Sequence, residues 1–97
     1  MNMQSLMSQA QKVQRDLERA NQEIEKTIFI GENEAVKVEV TGKNVVSKIE
    51  IKDEQLLSDK ELLQDMIVVA ANKALEQIVK MKSEKLGKYT GGLGGLF

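Results

Sequence analysis

The sequence predicts an α+β fold in which two long helices flank a small antiparallel sheet, in the order α-β-β-β-α. Residues before Thr27 repeat apolar side chains every three or four positions, and residues after Leu57 do the same. Residues 36–51 instead alternate apolar and polar side chains on both sides of a Gly-Lys-Asn turn. The first pattern indicates amphipathic helices and the second indicates half-buried strands. We therefore expect a two-layer protomer with its helices on the apolar face of a three-stranded sheet.

The first helix is expected over residues 2–26. Its apolar residues recur at alternating steps of three and four: Met3, Leu6, Ala10, Val13, Leu17, Ala20 and Ile24. A seam with this period is typical of a helix that packs lengthwise against another helix. At 1.5 Å per residue the helix would be roughly 36 Å long. Short strands cannot cover that length, so part of the helix should project or pair with another helix.

Three strands are expected over residues 27–30, 35–41 and 45–52, with a turn at residues 31–33. Gly42 and Asn44 tolerate positive φ, so the second and third strands should close as a hairpin. Alternation predicts one apolar sheet face, formed by Val36, Val38, Val40, Val45, Ile49 and Ile51. Val46 is expected on the opposite, mixed face. Three strands leave two exposed edges, and an exposed edge invites pairing with a second chain.

The second helix is expected over residues 58–86. Ser58 and Glu61 have the spacing of a capping box, Leu57 and Leu62 that of a hydrophobic staple, and Gly87 is a natural helix stop. The expected core stripe is Leu63, Met66, Ile67, Ala70, Ala71, Ala74, Leu75, Ile78 and Met81. Its alanines would let another backbone approach closely. Residues 1–88 should thus form a single domain, followed by a glycine-rich flexible tail at residues 89–97.

Composition argues against catalysis. The 97 residues contain no Cys and no His, so the usual general base, thiolate nucleophile and transition-metal ligands are missing. No glycine-rich phosphate loop follows a strand and opens a helix. We expect no enzymatic activity, no cofactor, no metal site and no small-molecule substrate. No apolar run is long enough to span a bilayer, and the N-terminus lacks a signal pattern, so we expect a cytosolic protein without a membrane partner.

Basic residues are concentrated on two helical segments, although the formal net charge is only −1. Lys12, Arg15 and Arg19 lie opposite the seam of the first helix, and residues 73–88 hold five lysines against two acids. One interpretation is a solvated face stabilised by pairs four residues apart, such as Arg19 with Glu23. A basic helix end also complements the helix dipole, which accounts for one or two lysines. The other interpretation is a row of phosphate contacts.

Several segments in order resemble the YbaB/EbfC family of small bacterial nucleoid-associated proteins. They are MQSLMSQAQKVQ at 3–14, VKV at 36–38, VVSKIEI at 45–51, LLQDMIVVAANKA at 62–74 and TGG at 90–92. The second-helix segment is the most specific of these, and the resemblance covers nearly the whole chain. It implies a homodimer whose helices project like the arms of tweezers. It also implies DNA binding in the cytoplasm and association with the nucleoid.

Two functions from different classes are compatible with these features. The first is a homodimer that binds double-stranded DNA through its backbone, with low sequence specificity and strong salt dependence. Its candidate DNA-binding residues are Lys12, Arg15, Arg19, Lys80, Lys82, Lys85 and Lys88. The second is a protein-interaction or chaperone-like adaptor that uses the heptad seam of the first helix as a docking site. DNA binding requires the basic residues of both helices to share one accessible surface of the dimer.

Overall fold

A computed structural model describes residues 3–90, and it describes side chains up to Gly87. Its elements are α1 (Met3–Lys26), β1 (Ile28–Glu32), β2 (Val36–Thr41), β3 (Val45–Ile51), a 3-10 turn (Glu54–Ser58) and α2 (Lys60–Thr90). The strands form an antiparallel sheet in the order β1-β2-β3. The predicted α-β-β-β-α order is confirmed. Residues 91–97 of the predicted tail lie outside the described residues.

The core lies between α2 and the first two strands. Its buried residues are Ile24, Phe29, Ala35, Val36, Val38, Val40, Ala70, Ala74 and Ile78. A Cβ added to Gly31 of β1 would lie 1.9 Å from the carbonyl oxygen of Ala70. Of the amino acids, only glycine at this strand position therefore allows the helix backbone to approach so closely. The close backbone contact predicted from the alanines of the second helix is confirmed, and its partner is β1.

The faces of β3 differ from the prediction. Val46 pairs with Val40 and Ile49 pairs with Val38, because the register shifts between these two pairs. Paired residues share a sheet face. Val46, rather than Val45, therefore joins the apolar face, and the predicted assignment of these two valines was wrong. A bulge adds one residue to one strand, and a strict period of two cannot reveal it.

Two turn predictions have different outcomes. Asn44 adopts a positive φ of 64°, as its position after the second strand predicted. Gly42 does not adopt positive φ. Its importance is steric, because a Cβ at this position would lie 1.8 Å from the carbonyl oxygen of Ile24. Gly42 thus lets the end of α1 rest on the β2–β3 turn.

The start of α2 is capped by Asp59 and not by Ser58. The Asp59 carboxylate accepts a hydrogen bond from the backbone N–H of Leu62 at 3.2 Å. The Ser58 hydroxyl instead donates to the carbonyl oxygen of Gln55 at 2.8 Å, within the preceding 3-10 turn. The predicted capping box of Ser58 and Glu61 was therefore wrong by one residue.

Two elements also extend beyond their predicted C-terminal ends. β1 continues through Gly31 to Glu32, where a turn was expected. α2 continues through Gly87 to Thr90, although Gly87 was expected to end it. A Cβ at Gly87 would meet nothing within 4 Å, so this glycine lies in an open part of the helix. A glycine stops a helix only when the chain adopts a left-handed turn there, and in this chain no described glycine does so.

Most of α1 projects from the sheet. Ile24 in its last turn is fully buried, whereas residues 3–15 are all exposed. The molecule measures 69 × 25 × 15 Å. The 31 residues of α2 account for only about 46 Å of this length at 1.5 Å per residue. The prediction that part of the first helix projects is confirmed, but only the end of α1 reaches the core. No helix among residues 3–90 is long and apolar enough to cross a membrane.

Candidate nucleic-acid interface

The first group of candidate residues forms a row along α1. Lys12, Arg15 and Arg19 are spaced by three and four residues, so they project from one face of the helix, and all three are exposed. Ile24 anchors the opposite face in the core. Anchoring one face turns the other toward solvent. The row therefore lies on the outer side of the projecting helix, and we call it the α1 basic row.

The α1 basic row has dimensions that suit a polyanion. From Lys12 to Arg19 the helix rises about 10 Å, which is close to three base-pair steps of about 3.4 Å along one DNA strand. Arginine can contact phosphate through two parallel N–H groups, and lysine contacts it as a compact point charge. The long side chains are free to reach a partner, because α1 stands clear of the sheet at this point.

The candidate lysines of α2 do not share one face. Relative to the buried Ile78, Lys82 and Lys85 lie about 40° and 20° round the helix, whereas Lys80 lies about 160° away. Lys82 and Lys85 are accordingly half-buried, and Lys80 is exposed. Lys80 lines a groove beside β1 together with Ile28. The side chain of Lys88 lies outside the described residues.

Lys85 connects the two helices. Its ammonium nitrogen Nζ lies 3.4 Å from Oε2 of Glu23 on α1. Sequence spacing offered Arg19 as the partner of Glu23, but in the described part of the chain Glu23 bonds to a residue 62 positions away. Lys85 therefore links α2 to α1 through an ion pair, and its ammonium group is partly engaged by the Glu23 carboxylate. Among the candidates with described side chains, the α1 basic row is the set of exposed cations that shares one helix face.

The outer edge of β1 is covered by side chains of α2. Gln77 donates through Nε2 to the carbonyl oxygen of Ile30 at 2.8 Å, and Lys73 donates through Nζ to that of Glu32 at 3.3 Å. These contacts occupy backbone acceptors that an added strand would use. They also show that Gln77 and Lys73 lie on the β1 side of α2. The opposite edge of the sheet, at β3, has no such cover among the described residues.

An apolar surface remains open on the β3 side. Every residue of β3 is exposed, including Val46 and Ile49 on the apolar face. Val68, Leu75 and Val79 lie on the side of α2 opposite Gln77, which is the side that faces toward β3. We call the combined area the β3–α2 surface: Val46, Ile49, Ile51, Val68, Leu75 and Val79.

Sequence reasoning missed two of the three α2 residues of the β3–α2 surface, since only Leu75 was assigned to the core stripe. Val68 and Val79 fall outside the predicted core stripe, and they were not assigned a role. They are 57% and 68% exposed. The available signal was that α2 is apolar on more than one face, because such a helix is normally covered on more than one side.

One carboxyl group has a shifted pKa, and it lies away from the α1 basic row. Lys52 donates a hydrogen bond to Glu32 at 3.1 Å, and this contact together with its positive charge lowers the pKa of the Glu32 carboxyl. The pair links the end of β1 to the segment after β3. Within residues 3–90, no cluster of acidic side chains has the geometry to hold a metal ion.

The fold and these surfaces define a class of small α-β-β-β-α proteins with a projecting helix that carries a row of basic residues on one face. The model of the YbaB/EbfC DNA-binding family matches residues 1–93. The chain belongs to this family.

Named relatives agree with this assignment. A nucleoid-associated protein of Lactococcus lactis subsp. cremoris is 43% identical over 96 residues, covering 96% of this chain and 97% of the relative. One from Ruminiclostridium cellulolyticum is 44% identical over 98 aligned positions, covering 98% and 85%. A crystal structure of a Helicobacter pylori protein matches with a TM-score of 0.72 at 20% identity, covering 87% of this chain and 91% of that chain. At that identity the match supports the fold alone.

Proposed function

We propose that this protein binds double-stranded DNA in the bacterial nucleoid, as a cytoplasmic homodimer without catalytic activity. The observation that carries the proposal is the α1 basic row, an exposed set of cations on a helix that stands clear of the sheet. Membership of a DNA-binding family and the names of the nucleoid-associated relatives support the same ligand.

The proposed contacts are made to the DNA backbone. Lys12, Arg15 and Arg19 provide the primary contacts, and Lys80, Lys82, Lys85 and Lys88 of α2 provide secondary ones. Lysine and arginine on a helix surface bind phosphates and release condensed counterions, so affinity falls steeply as salt rises. Phosphate contacts carry no sequence information directly. Binding with low sequence preference follows, and the formal net charge of −1 keeps the affinity modest.

The proposed dimer forms through the β3–α2 surface. Soluble monomers rarely leave contiguous apolar patches larger than a few hundred Å² exposed. The patch combines an uncovered sheet face with the flank of a helix, and it lies beside the one sheet edge that α2 does not cover. A second copy supplies a matching apolar surface by symmetry. Dimerisation then doubles the number of basic rows and fixes their separation.

DNA binding is tested by fluorescence anisotropy with two labelled duplexes of unrelated sequence across a salt series. We expect similar affinities for the two duplexes and a linear fall of log affinity with log salt. A strong preference for one duplex would contradict backbone binding. An absence of binding at low salt would contradict the DNA proposal itself.

The dimer is tested by sedimentation equilibrium of Val79→Glu, which places a charge in the β3–α2 surface. Leu57→Glu is the matched control, because Leu57 is 61% exposed on the 3-10 turn and outside that surface. We expect the Val79 variant to be a folded monomer and the control to remain a dimer. Circular dichroism verifies that both variants are folded. A dimeric Val79 variant would place the interface elsewhere, and a monomeric wild type would contradict the homodimer.

The alternative function is a protein-interaction adaptor that docks a partner on the seam of α1. The specific observation in its favour is that Met3, Leu6 and Val13 are exposed. This alternative gains support only if the duplexes do not bind at low salt, and pull-downs with the wild type and a Leu6→Glu variant would then test it.

A further inference from the structure

The seam of α1 is buried at one end and open along the rest. Ile24 is fully buried, whereas Val13, Leu6 and Met3 are 46%, 48% and 77% exposed. Met7 beside them is 58% exposed. Leaving such a row in water forgoes the stabilisation that apolar burial provides. The row lies opposite the α1 basic row, so its exposure is not explained by phosphate binding.

The C-terminal end of α2 lies close to the uncovered part of this seam. Lys85 contacts Glu23, and α2 continues from there to Thr90, a rise of about 7.5 Å. The 69 Å length of the molecule exceeds that of α2 by about 23 Å, which requires α1 to extend past the end of α2. The two helices therefore run antiparallel. Thr90 then lies level with about Leu17, where the exposed part of the seam begins.

The seven residues that follow have a matching length and pattern. Their sequence is Gly91-Gly92-Leu93-Gly94-Gly95-Leu96-Phe97. Fully extended, seven residues span about 23 Å, and the seam from Leu17 to Met3 is about 21 Å long. Leu93 and Leu96 would stand about 10 Å apart, close to two steps of the seam. Glycine lacks a side chain, so it allows a backbone to approach a helix closely.

We propose that the C-terminal segment, residues 91–97, docks along the α1 seam of its own chain. Leu93, Leu96 and Phe97 cover the open row that ends at Met3. The segment is tethered beside its site, so its effective concentration is on the order of millimolar and weak apolar contacts are sufficient. Docking stiffens the projecting part of α1 and leaves the α1 basic row free. The proposal does not depend on DNA binding.

The test is NMR of the full chain with ¹³C-labelled methionine methyl groups. Met3 and Met7 report on the seam, and the half-buried core residues Met66 and Met81 serve as internal references. Phe97 is the only aromatic residue of the segment, so a docked ring shifts nearby methyl resonances. We expect Phe97→Ala to move the Met3 and Met7 resonances and to leave those of Met66 and Met81 in place. Removing residues 91–97 should speed amide exchange in residues 3–17 severalfold.

Leu57→Ala is the matched control, because it removes an exposed leucine far from the seam. It should leave the Met3 and Met7 resonances unchanged. Identical resonances of these two methionines in the wild type and in Phe97→Ala would overturn the proposal. Shifts that disappear on dilution would assign the seam to a second copy. Labelled chains without residues 91–97 are also mixed with unlabelled full chains, and recovery of the shifts there would mean that the segment acts between chains.

Discussion

Gly31 and Gly87 both lie inside regular elements, yet alanine should have opposite effects at the two positions. A Cβ at Gly31 would clash with backbone atoms of Ala70 and Ala74, which cannot move aside like a flexible side chain. We expect Gly31→Ala to destabilise the fold by about 2–3 kcal/mol. Gly87 lies in a helix with open space around it, so Gly87→Ala should stabilise the fold by about 0.5–1 kcal/mol. Urea unfolding at matched protein concentration measures both values, and effects of the same sign would contradict this packing.

Glu32 should titrate below its ordinary range because of Lys52. The hydrogen bond and charge of Lys52 are the main causes that lower the Glu32 pKa, and Lys37 adds a smaller contribution. Because the folded-state pKa is lowered, the stabilisation from this pair is present above the unfolded-state pKa. It is lost as the pH falls through the folded-state value.

The corresponding measurement is an NMR titration of the Glu32 carboxyl group. We expect Lys52→Met to raise the Glu32 pKa toward the ordinary value of 4.5. Lys37→Met, the control on the neighbouring strand, should raise it less. If Glu32 titrated identically in the wild type and in Lys52→Met, the Lys52–Glu32 pair would not exist in solution.

Local periodicity was sufficient to predict the exposure of individual basic residues on α1. The spacing of Lys12, Arg15 and Arg19 relative to the seam places them on the outer face, and the structure agrees. The partner of Glu23 was not predictable in this way. Lys85 is distant in sequence, and its contact depends on how α2 passes α1 in the folded chain. Spacing along the sequence can predict only ion pairs between residues that are close in the sequence.

The cap of α2 distinguishes the observed helix start from the one that the capping-box pattern predicts. Asp59 satisfies the backbone N–H of Leu62, whereas Ser58 bonds within the preceding turn. We expect Asp59→Ala to lower stability by about 1 kcal/mol. Ser58→Ala should have a smaller effect, because its hydroxyl is exposed and bonds only locally. Chemical denaturation of the two variants gives the comparison. A larger loss for Ser58→Ala would restore Ser58 as the cap.

The existence and type of the elements were predictable, because α1, β2 and α2 have strong and uninterrupted periods. The bulge in the β2–β3 pairing was not, since a single extra residue reverses the face of Val45 and Val46 without changing composition. The extension of β1 to Glu32 was also hidden. Its last residues are held by side chains of α2 that are distant in sequence, Lys73 and Gln77. The C-terminal end of β1 thus depends on tertiary contacts with α2.

In the whole molecule, α2 covers only part of the sheet, and α1 is packed into the core at one end. Packing of α2 over β1 and β2 leaves β3 without a helix above it, which creates the β3–α2 surface. The sequence predicted an apolar sheet face but could not show which strand remains uncovered. Which strand remains uncovered depends on the lateral position of α2, and the close approach of Ala70 to Gly31 places α2 against β1. The proposed dimer and the spacing of its two basic rows follow from this offset.

The central claim is that the α1 basic row, and not overall charge, binds DNA. The test compares salt-dependent anisotropy for the wild type, for Lys12→Ala/Arg15→Ala/Arg19→Ala, and for a control with the same charge change. The control is Lys43→Ala/Lys48→Ala/Lys60→Ala, whose lysines are exposed outside α1. Both variants lose three positive charges, which changes the formal net charge from −1 to −4.

We expect the α1 variant to bind more weakly, with a slope of log affinity against log salt that is shallower by about 0.9 for each phosphate that the variant no longer neutralises. The control should keep the slope of the wild type. Equal slopes and equal losses of affinity in the two variants would show that net charge alone governs binding, and this result would contradict the assignment of the α1 basic row as the DNA-binding site.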